Sequence, residues 1–299
     1  MLVRVGTRKS KLALIQTQII TDALTQKHPQ LEFEIIGITT SGDQMLDRDL
    51  ALIGGKGLFL KEIEEQLELG NIDIAVHSMK DVPAFLPKGF TIDCMYKRES
   101  VEDVYVSLKY PTIDSLPQGA IIGTSSARRK HQLLTLRPDL KTISYRGNVP
   151  TRIEKLQKGE VDGCILALAG VKRLGLTDHI SQVLPITDFL PAAAQGVIAV
   201  ETTEYDVKMK PLLSAIHDQP TYICVSAERA FLQAMQEGCT TPIAALATLN
   251  EDILTLKVQY FDPVDFVPLE TTVTGAAYDA VALGMQAAEH IKGLLSDVQ

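Results

Sequence analysis

The chain has 299 residues, 45% of them hydrophobic and 22% charged, with 20 Gly and 14 Pro, a composition that excludes a disordered or fibrous protein and allows two or three domains with real cores. A net charge of −8 excludes a surface that coats nucleic acid or docks on a membrane through basic patches, so any anion binding has to be local. The four cysteines, Cys94, Cys164, Cys224 and Cys239, form no C-x-x-C pair, which argues against a zinc site or disulfide framework and for a reducing compartment.

Leu2 to Val5 reads as a first strand. Charges at Arg4, Arg8, Lys9 and Lys11 leave no apolar leader there, and no later apolar run approaches ~18 residues, so a cytoplasmic protein is expected. Leu12, Ile15, Ile19 and Ala23 then step along one helix face, and Leu31, Phe33 and Ile35 alternate as a second strand. After the glycine loop Gly54-Gly55-Lys56-Gly57 comes a helix with Leu60, Ile63 and Leu67 inward and Glu62, Glu64 and Glu65 outward, and Ile72 to Val76 follows as a buried strand. Strands at Ala120 to Ile122, Lys141 to Tyr145 and Cys164 to Leu168 are each followed by a helix, starting near Ser126, Val149 and Ala169. This alternation predicts mostly parallel sheets with ligand groups at the strand C-terminal ends. Stretches near Glu99 to Asp103 and Phe189 to Gln195 read as crossings between two α/β domains. Beyond about Thr221 the texture becomes α+β: a helix (Tyr222 to Met235), three strands within Ile243 to Val273, and a final helix (Tyr278 to Leu295).

Basic residues are concentrated. Arg128 to Lys155 carries a net +6 and residues 1–11 a net +4, leaving −18 on the rest. Thr7-Arg8-Lys9-Ser10, Thr124-Ser125-Ser126-Ala127-Arg128-Arg129 and Arg146-Gly147-Asn148 each follow a predicted strand and open a helix. Hydroxyls, free backbone N–H groups, the positive dipole end and guanidinium forks together bind carboxylates or phosphates. The plain alternative for any one of these arginines is a solvated helix face. A nucleic-acid role for Arg128-Arg129-Lys130 lacks interleaved aromatics. Lys56 stands in a loop that is no Walker A sequence, because Gly57 occupies the place of the magnesium-binding hydroxyl. Asp81, in His77-Ser78-Met79-Lys80-Asp81-Val82-Pro83 after a buried strand, is placed either to act as acid, base or cation stabiliser or simply to pair with Lys80 or cap a turn. His77 and Asp81 lack a third metal ligand, and Pro83 argues against a helix there. Cys239 sits in a helix-to-strand turn where a thiol is accessible; the other three cysteines read as packing residues.

Together these segments closely resemble the porphobilinogen deaminase (hydroxymethylbilane synthase) family. The resemblance runs through Gly6-Thr7-Arg8-Lys9-Ser10, Gly54 to Phe59, Ala75 to Pro83, Gly123 to Arg129, Arg146-Gly147-Asn148, Ala169 to Gly175, Leu190-Pro191-Ala192, Gln195-Gly196, Ala227-Glu228-Arg229-Ala230 and Gly238-Cys239, and is weakest after about Thr248. It implies a transferase that condenses porphobilinogen head to tail with loss of ammonia, releasing hydroxymethylbilane. It also implies a dipyrromethane cofactor held by a thioether to Cys239, Asp81 as the catalytic carboxylate, and no metal. Arg8, Ser10, Lys56, Ser78, Lys80, Ser126, Arg128, Arg129, Arg146, Arg152, Arg173 and Gln195 are implied to bind the carboxylates of cofactor, substrate and growing oligopyrrole chain. The implied fold is α/β, two type II periplasmic-binding-protein-like domains (1–98 with a return segment 196–214, and 102–191) plus a small C-terminal α+β domain (219–299) carrying the cofactor cysteine. A monomer without nucleic-acid or membrane partners is expected.

Three departures from the family pattern stand out. Leu52 stands where Lys is common, Glu237 replaces the first Gly of a Gly-Gly-Cys turn, and Ala193-Ala194 replaces Val-Gly, which stiffens the second crossing because Ala resists positive φ. The rival reading is a non-catalytic protein of the same architecture that captures a carboxylate-rich ligand; it has no use for Cys239.

Overall fold

The computed structural model describes residues 1–44, 60–235, 242–261 and 267–298. The first leg of the chain forms β1 (Leu2–Arg8), α1 (Lys11–Lys27), β2 (Glu32–Ile38), the one-turn α2 (Ser41–Gln44), α3 (Lys61–Glu68), β3 (Ile74–Ser78) and β4 (Phe90–Met95). There follow β5 (Asp103–Val106), β6 (Ile121–Gly123), α4 (Ala127–Leu136), β7 (Lys141–Ile143), α5 (Val149–Gln157), β8 (Gly163–Ala167), α6 (Leu168–Arg173) and β9 (Gln182–Val183). After β10 (Ile198–Thr203) and α7 (Met209–Ser214) come α8 (Gln219–Met235), β11 (Ile243–Asn250), β12 (Ile253–Phe261), β13 (Pro268–Ala276) and α9 (Ala280–Val298).

These elements gather into two compact units, Met1–Glu99 with Gly196–Tyr222, and Ser100–Gln195 with Ile223–Gln299. The first unit holds a five-stranded sheet ordered β2-β1-β3-β10-β4, and the second holds one ordered β7-β6-β8-β5-β9. In each, three strands run parallel and the fourth position is reversed: β10 is antiparallel to β3 and β4, and β5 to β8 and β9. The mostly parallel sheets expected from the strand–helix alternation are thus mixed. The reason is topological, since β5 and β10 are the strands with which the chain enters a unit after leaving the other. Two sheets of one shared order, each interrupted by the other's return strand, make the type II periplasmic-binding-protein-like α/β architecture, and β11-β12-β13 adds a small antiparallel sheet.

Both faces of each large sheet are covered. Val3, Val5, Ile74, Val76, Ile198 and Val200 pack against Ile20 and Leu24 of α1, while Ala75 meets Ile63 and Leu67 of α3 on the other side. Two helix phases differ from the sequence expectation. On α1 the buried residues are Ala13, Gln16, Thr17, Ile20, Thr21, Ala23 and Leu24, so Ala23 falls on the expected face while Leu12, Ile15 and Ile19 are only half-buried. The helix is turned so that Gln16 hydrogen-bonds Ser78 of β3. On α3, Glu64 is buried and not outward, because it shares the Leu60–Ile63–Leu67 face. In the second unit α8 and α9 cover the small sheet through Phe231, Leu254, Leu256, Val258, Leu283, Ala287 and Ile291.

Cys94, Cys164 and Cys224 are buried. Burial pushes the Cys94 thiol up to about 12 and that of Cys164 to about 11, so both are packing residues. Among the described residues, no helix is long and apolar enough to cross a membrane.

Candidate functional site

In the first unit the site residues hang from the ends of β1 and β3. Ser10 caps α1, its hydroxyl accepting from the Ala13 N–H at 3.3 Å, so the first turn of the helix opens directly after Arg8. The Arg8 guanidinium donates to both oxygens of Asp43, at 2.5 and 3.3 Å. Burial would raise the Asp43 carboxyl, but the Arg8 hydrogen bonds and charge outweigh it and hold it below its ordinary value. At the end of β3, Ser78 and Gln16 exchange hydrogen bonds of 2.9 and 3.1 Å.

Asp81 closes a one-turn 3-10 helix, Met79–Asp81. That turn is pinned at both ends: Met79 N–H donates to Val197 O of the return segment at 3.0 Å, and Val82 N–H to Met79 O at 3.1 Å. The carboxylate is therefore carried by a rigid strand end, not by a free loop. Arg8, Ser10, Gln16, His77, Ser78 and Asp81 line one pocket. Lys80, half-buried, is in the same turn.

In the second unit, Ser126 caps α4, accepting from Arg129 N–H at 3.4 Å, and Asn148 caps α5, accepting from Thr151 N–H at 2.9 Å. Gly123, just ahead of the first of these turns, lies under the Tyr145 ring; a Cβ there would sit 2.5 Å from the ring. Gly147, at φ +120°, lets its carbonyl accept from Arg152 Nε at 2.8 Å.

Arg128 and Arg129 face inward, a placement the charge run alone does not reveal. Arg128 donates to Asp103 at 2.8 Å, to Leu190 O at 2.7 Å and to Gln132 at 3.1 Å; Arg129 donates to Asp103 at 2.6 Å and to Ile165 O at 3.1 Å. Gln195 Nε2 joins the same carboxylate at 3.0 Å and bonds Val101 O at 2.7 Å. Burial alone would raise the Asp103 carboxyl, yet the charges of the two arginines hold it well below the usual carboxylate range. One carboxylate does not satisfy both cations: each arginine keeps a buried Nε–H without an acceptor. Burial, aided by the charge of Arg129, also pulls Arg152 down to about 10. Among the described residues Arg128 and Arg129 share the single carboxylate of Asp103, a balance that an anionic ligand would complete. Arg146 is half-buried in the loop after β7, and Arg173 is half-buried at the end of α6.

Lys56 and Cys239 lie outside the described residues, as do Leu52 and Glu237. Ala194 takes φ +59°, so alanine keeps the left-handed conformation that suits glycine. Its N–H donates to Glu228 at 2.6 Å, and the other oxygen of Glu228 accepts from Ala247 N–H at 2.8 Å; the second crossing is thereby fastened to α8 and β11. Gln16, Asp103 and Glu228 were missed as site-building residues. Gln16 was legible as a polar residue in a helix-interior phase, and Glu228 as an acid within the apolar run of α8; the four-residue β5 offers no comparable signal for Asp103.

The family model "Porphobilinogen deaminase, dipyromethane cofactor binding domain" matches residues 3–211, and "Porphobilinogen deaminase, C-terminal domain" matches residues 222–293. The chain is 46% identical over 287 residues to a porphobilinogen deaminase of Brevibacillus brevis, covering 96% of this chain and 92% of that protein. It is 45% identical over 293 residues to one of Paracoccus denitrificans, covering 97% and 94% respectively. Among solved structures, the methionine binding protein MetQ is similar at a TM-score of 0.46 with 12% identity, over 74% of this chain and 92% of that one.

Proposed function

The chain belongs to the porphobilinogen deaminase family, and from that premise we propose how its own residues divide the reaction. The activity is that of a transferase of tetrapyrrole and heme synthesis, joining four porphobilinogen molecules head to tail with loss of ammonia to give hydroxymethylbilane, with a dipyrromethane cofactor. A reading as a mere carboxylate-capture protein is not favoured by that membership.

The second unit fits a dipyrromethane. Every pyrrole of such a group carries an acetate and a propionate, and the orphaned Nε–H groups and the depressed Arg152 mark a site that lacks anions. Ser126, Arg129, Arg146, Arg152 and Arg173 would hold those carboxylates, with Arg128 and Gln195 behind them fixing Asp103 and Arg129. Cys239 would form the thioether. When bound, the cofactor supplies the free pyrrole α-carbon from which the chain grows.

Asp81 is the catalytic carboxylate, and its seat on the pinned turn after β3, in a pocket wall shared with Arg8, Ser10 and Ser78, is the observation that carries this proposal. Breaking the C–N bond of the substrate's protonated aminomethyl group expels ammonia and leaves a cationic pyrrole. The Asp81 carboxylate stabilises that charge, then accepts the proton released from the attacking α-carbon as the new C–C bond forms, and passes it to ammonia or solvent. Arg8, Ser10, Lys56, Ser78 and Lys80 orient the substrate by its carboxylates. The enzyme acts as a cytoplasmic monomer without nucleic-acid partners, in three domains spanning 1–98 with 196–214, 102–191 and 219–299.

Intact mass of the purified protein should exceed the sequence mass by a dipyrromethane adduct that Cys239→Ser removes. Asp81→Ala should keep fold and adduct and lose turnover. An unmodified wild-type chain that turns over sinks the cofactor attachment, and near-normal rates in Asp81→Ala move the chemistry elsewhere.

A further inference from the structure

α3, β3 and β10 bring Glu64, His77 and Glu201 together inside the first unit, and the reaction as described uses none of them. They are 8%, 6% and 0% exposed. His77 Nε2 lies 2.9 Å from Glu201 Oε2, while Glu201 Oε1 and Glu64 Oε1 are buried with no hydrogen-bond partner. Two carboxylates gathered around one imidazole, out of water, disfavour the charged form of Glu64. Burial, then the charge of Glu201, raises the Glu64 carboxyl to about 7, against a smaller opposing pull from His77. The strands packed on α3 supply no further charge to it. β3 contributes only His77, β10 only Glu201, and the charged residues of β1, Arg4 and Arg8, pair with Asp73 and Asp43.

His77 also lines the pocket that contains Ser78 and Asp81. We propose that Glu64, His77 and Glu201 form a proton-holding wall of the reaction pocket, whose charge sets how firmly the carboxylates of porphobilinogen are held. With Glu64 protonated the wall carries one negative charge fewer. With Glu64 ionised it adds a negative charge that opposes the anionic substrate. Glu64 is thus a positioning residue that acts through the pocket's field and touches no reacting atom. The proposal rests on the placement of the reaction at Asp81.

Glu64→Gln locks the wall in the shape and charge of its protonated form, and the loaded enzyme is the object to test. In the wild type, KM for porphobilinogen should rise roughly two- to fivefold from about pH 6 to about pH 8.5 while kcat changes less, the size expected of one charge acting through a partly solvated pocket. In Glu64→Gln, KM should be flat over that range. Melting temperature gives a readout without turnover. The folded carboxyl lies above its unfolded value of about 4.3, so the folded protein holds an extra proton, and stability declines as pH rises from there to about 7. Glu64→Gln should therefore melt with the wild type near pH 5 and above it at pH 8. Parallel KM profiles, or a melting difference that does not change with pH, overturn the proposal. The two possible failures are separable: an Asp81→Ala enzyme with normal turnover removes the site beneath the proposal, whereas unchanged profiles alongside an inactive Asp81→Ala remove the proposal alone.

Discussion

Replacing Asp103 by asparagine should destabilise the second unit sharply. The carboxylate is wholly buried and accepts from Arg128 at 2.8 Å, Arg129 at 2.6 Å and Gln195 at 3.0 Å. An asparagine keeps the shape but loses the charge, and it turns an amide N–H₂ toward groups that can only donate. Two buried guanidiniums then lack any counter-charge, a situation that lowers stability by about 3–5 kcal/mol. For a unit of this size that is a fall in melting temperature on the order of 6–20 °C. The pH dependence has a definite sign. Because the folded carboxyl is held below its unfolded value, its contribution is complete above roughly pH 4 and drains away as pH falls through the lower folded value. Wild type and Asp103→Asn should therefore differ at neutral pH and converge in acid, which urea melts at several pH values would read. Arg128→Leu should behave similarly, leaving Gln132 Oε1 without its donor and Leu190 O with Gln132 Nε2 alone. Arg146→Leu, at a half-buried loop position, should leave stability nearly unchanged and impair cofactor retention. An Asp103→Asn protein with a wild-type melting curve at pH 7 would refute the reasoning, and would return Arg128 and Arg129 to the solvated-face interpretation.

Ala194→Gly should stabilise the chain by roughly 0.5–1 kcal/mol, since relief of the left-handed alanine exceeds the added freedom of the unfolded chain; a lowered melting temperature would show that packing of the buried Ala194 methyl group, not glycine-like geometry, governs this crossing. Gly123→Ala should lower stability by about 1–3 kcal/mol by pressing a methyl group into the Tyr145 ring. Tyr145→Leu in the same chain should recover part of that loss, and strictly additive effects in the double variant would contradict the contact.

Local sequence signals carried far in this chain where a residue's role is decided within one strand–turn–helix step. Ser10, Ser126 and Asn148 are helix caps in the positions that their spacing after β1, β6 and β7 indicates, and the meander β11-β12-β13 follows its alternating pattern. The signals fail where the deciding partner is distant. Nothing within Asp103-Val104-Tyr105-Val106 says that this strand runs against β8, because its direction follows from arriving out of the other unit. The phase of α1 turned on Gln16 meeting Ser78, 62 residues away. Glu64 shows the same limit from the opposite side: an i, i+3, i+4 count places it inward, while its charge suggests outward, and only the His77–Glu201 pair behind it resolves the conflict.

Charge counting by segment has a related blind spot. The +6 between Arg128 and Lys155 includes Arg128 and Arg129, whose counter-ion Asp103 lies outside the window, while Arg137, already balanced in that sum by its partner Asp139, is also bonded to the carbonyls of Ile113 and Leu116. Much of the apparent ligand-binding charge is thus engaged by the protein itself. Yet the Asp103 cluster holds two cations to one anion. Among the described residues Arg152 meets the Gly147 carbonyl and no carboxylate, beside Arg129, whose charge it feels. A site built this way keeps its guanidiniums ordered before any ligand arrives and still lacks negative charge, so that a carboxylate-bearing pyrrole would complete it without having to displace the internal ion pair.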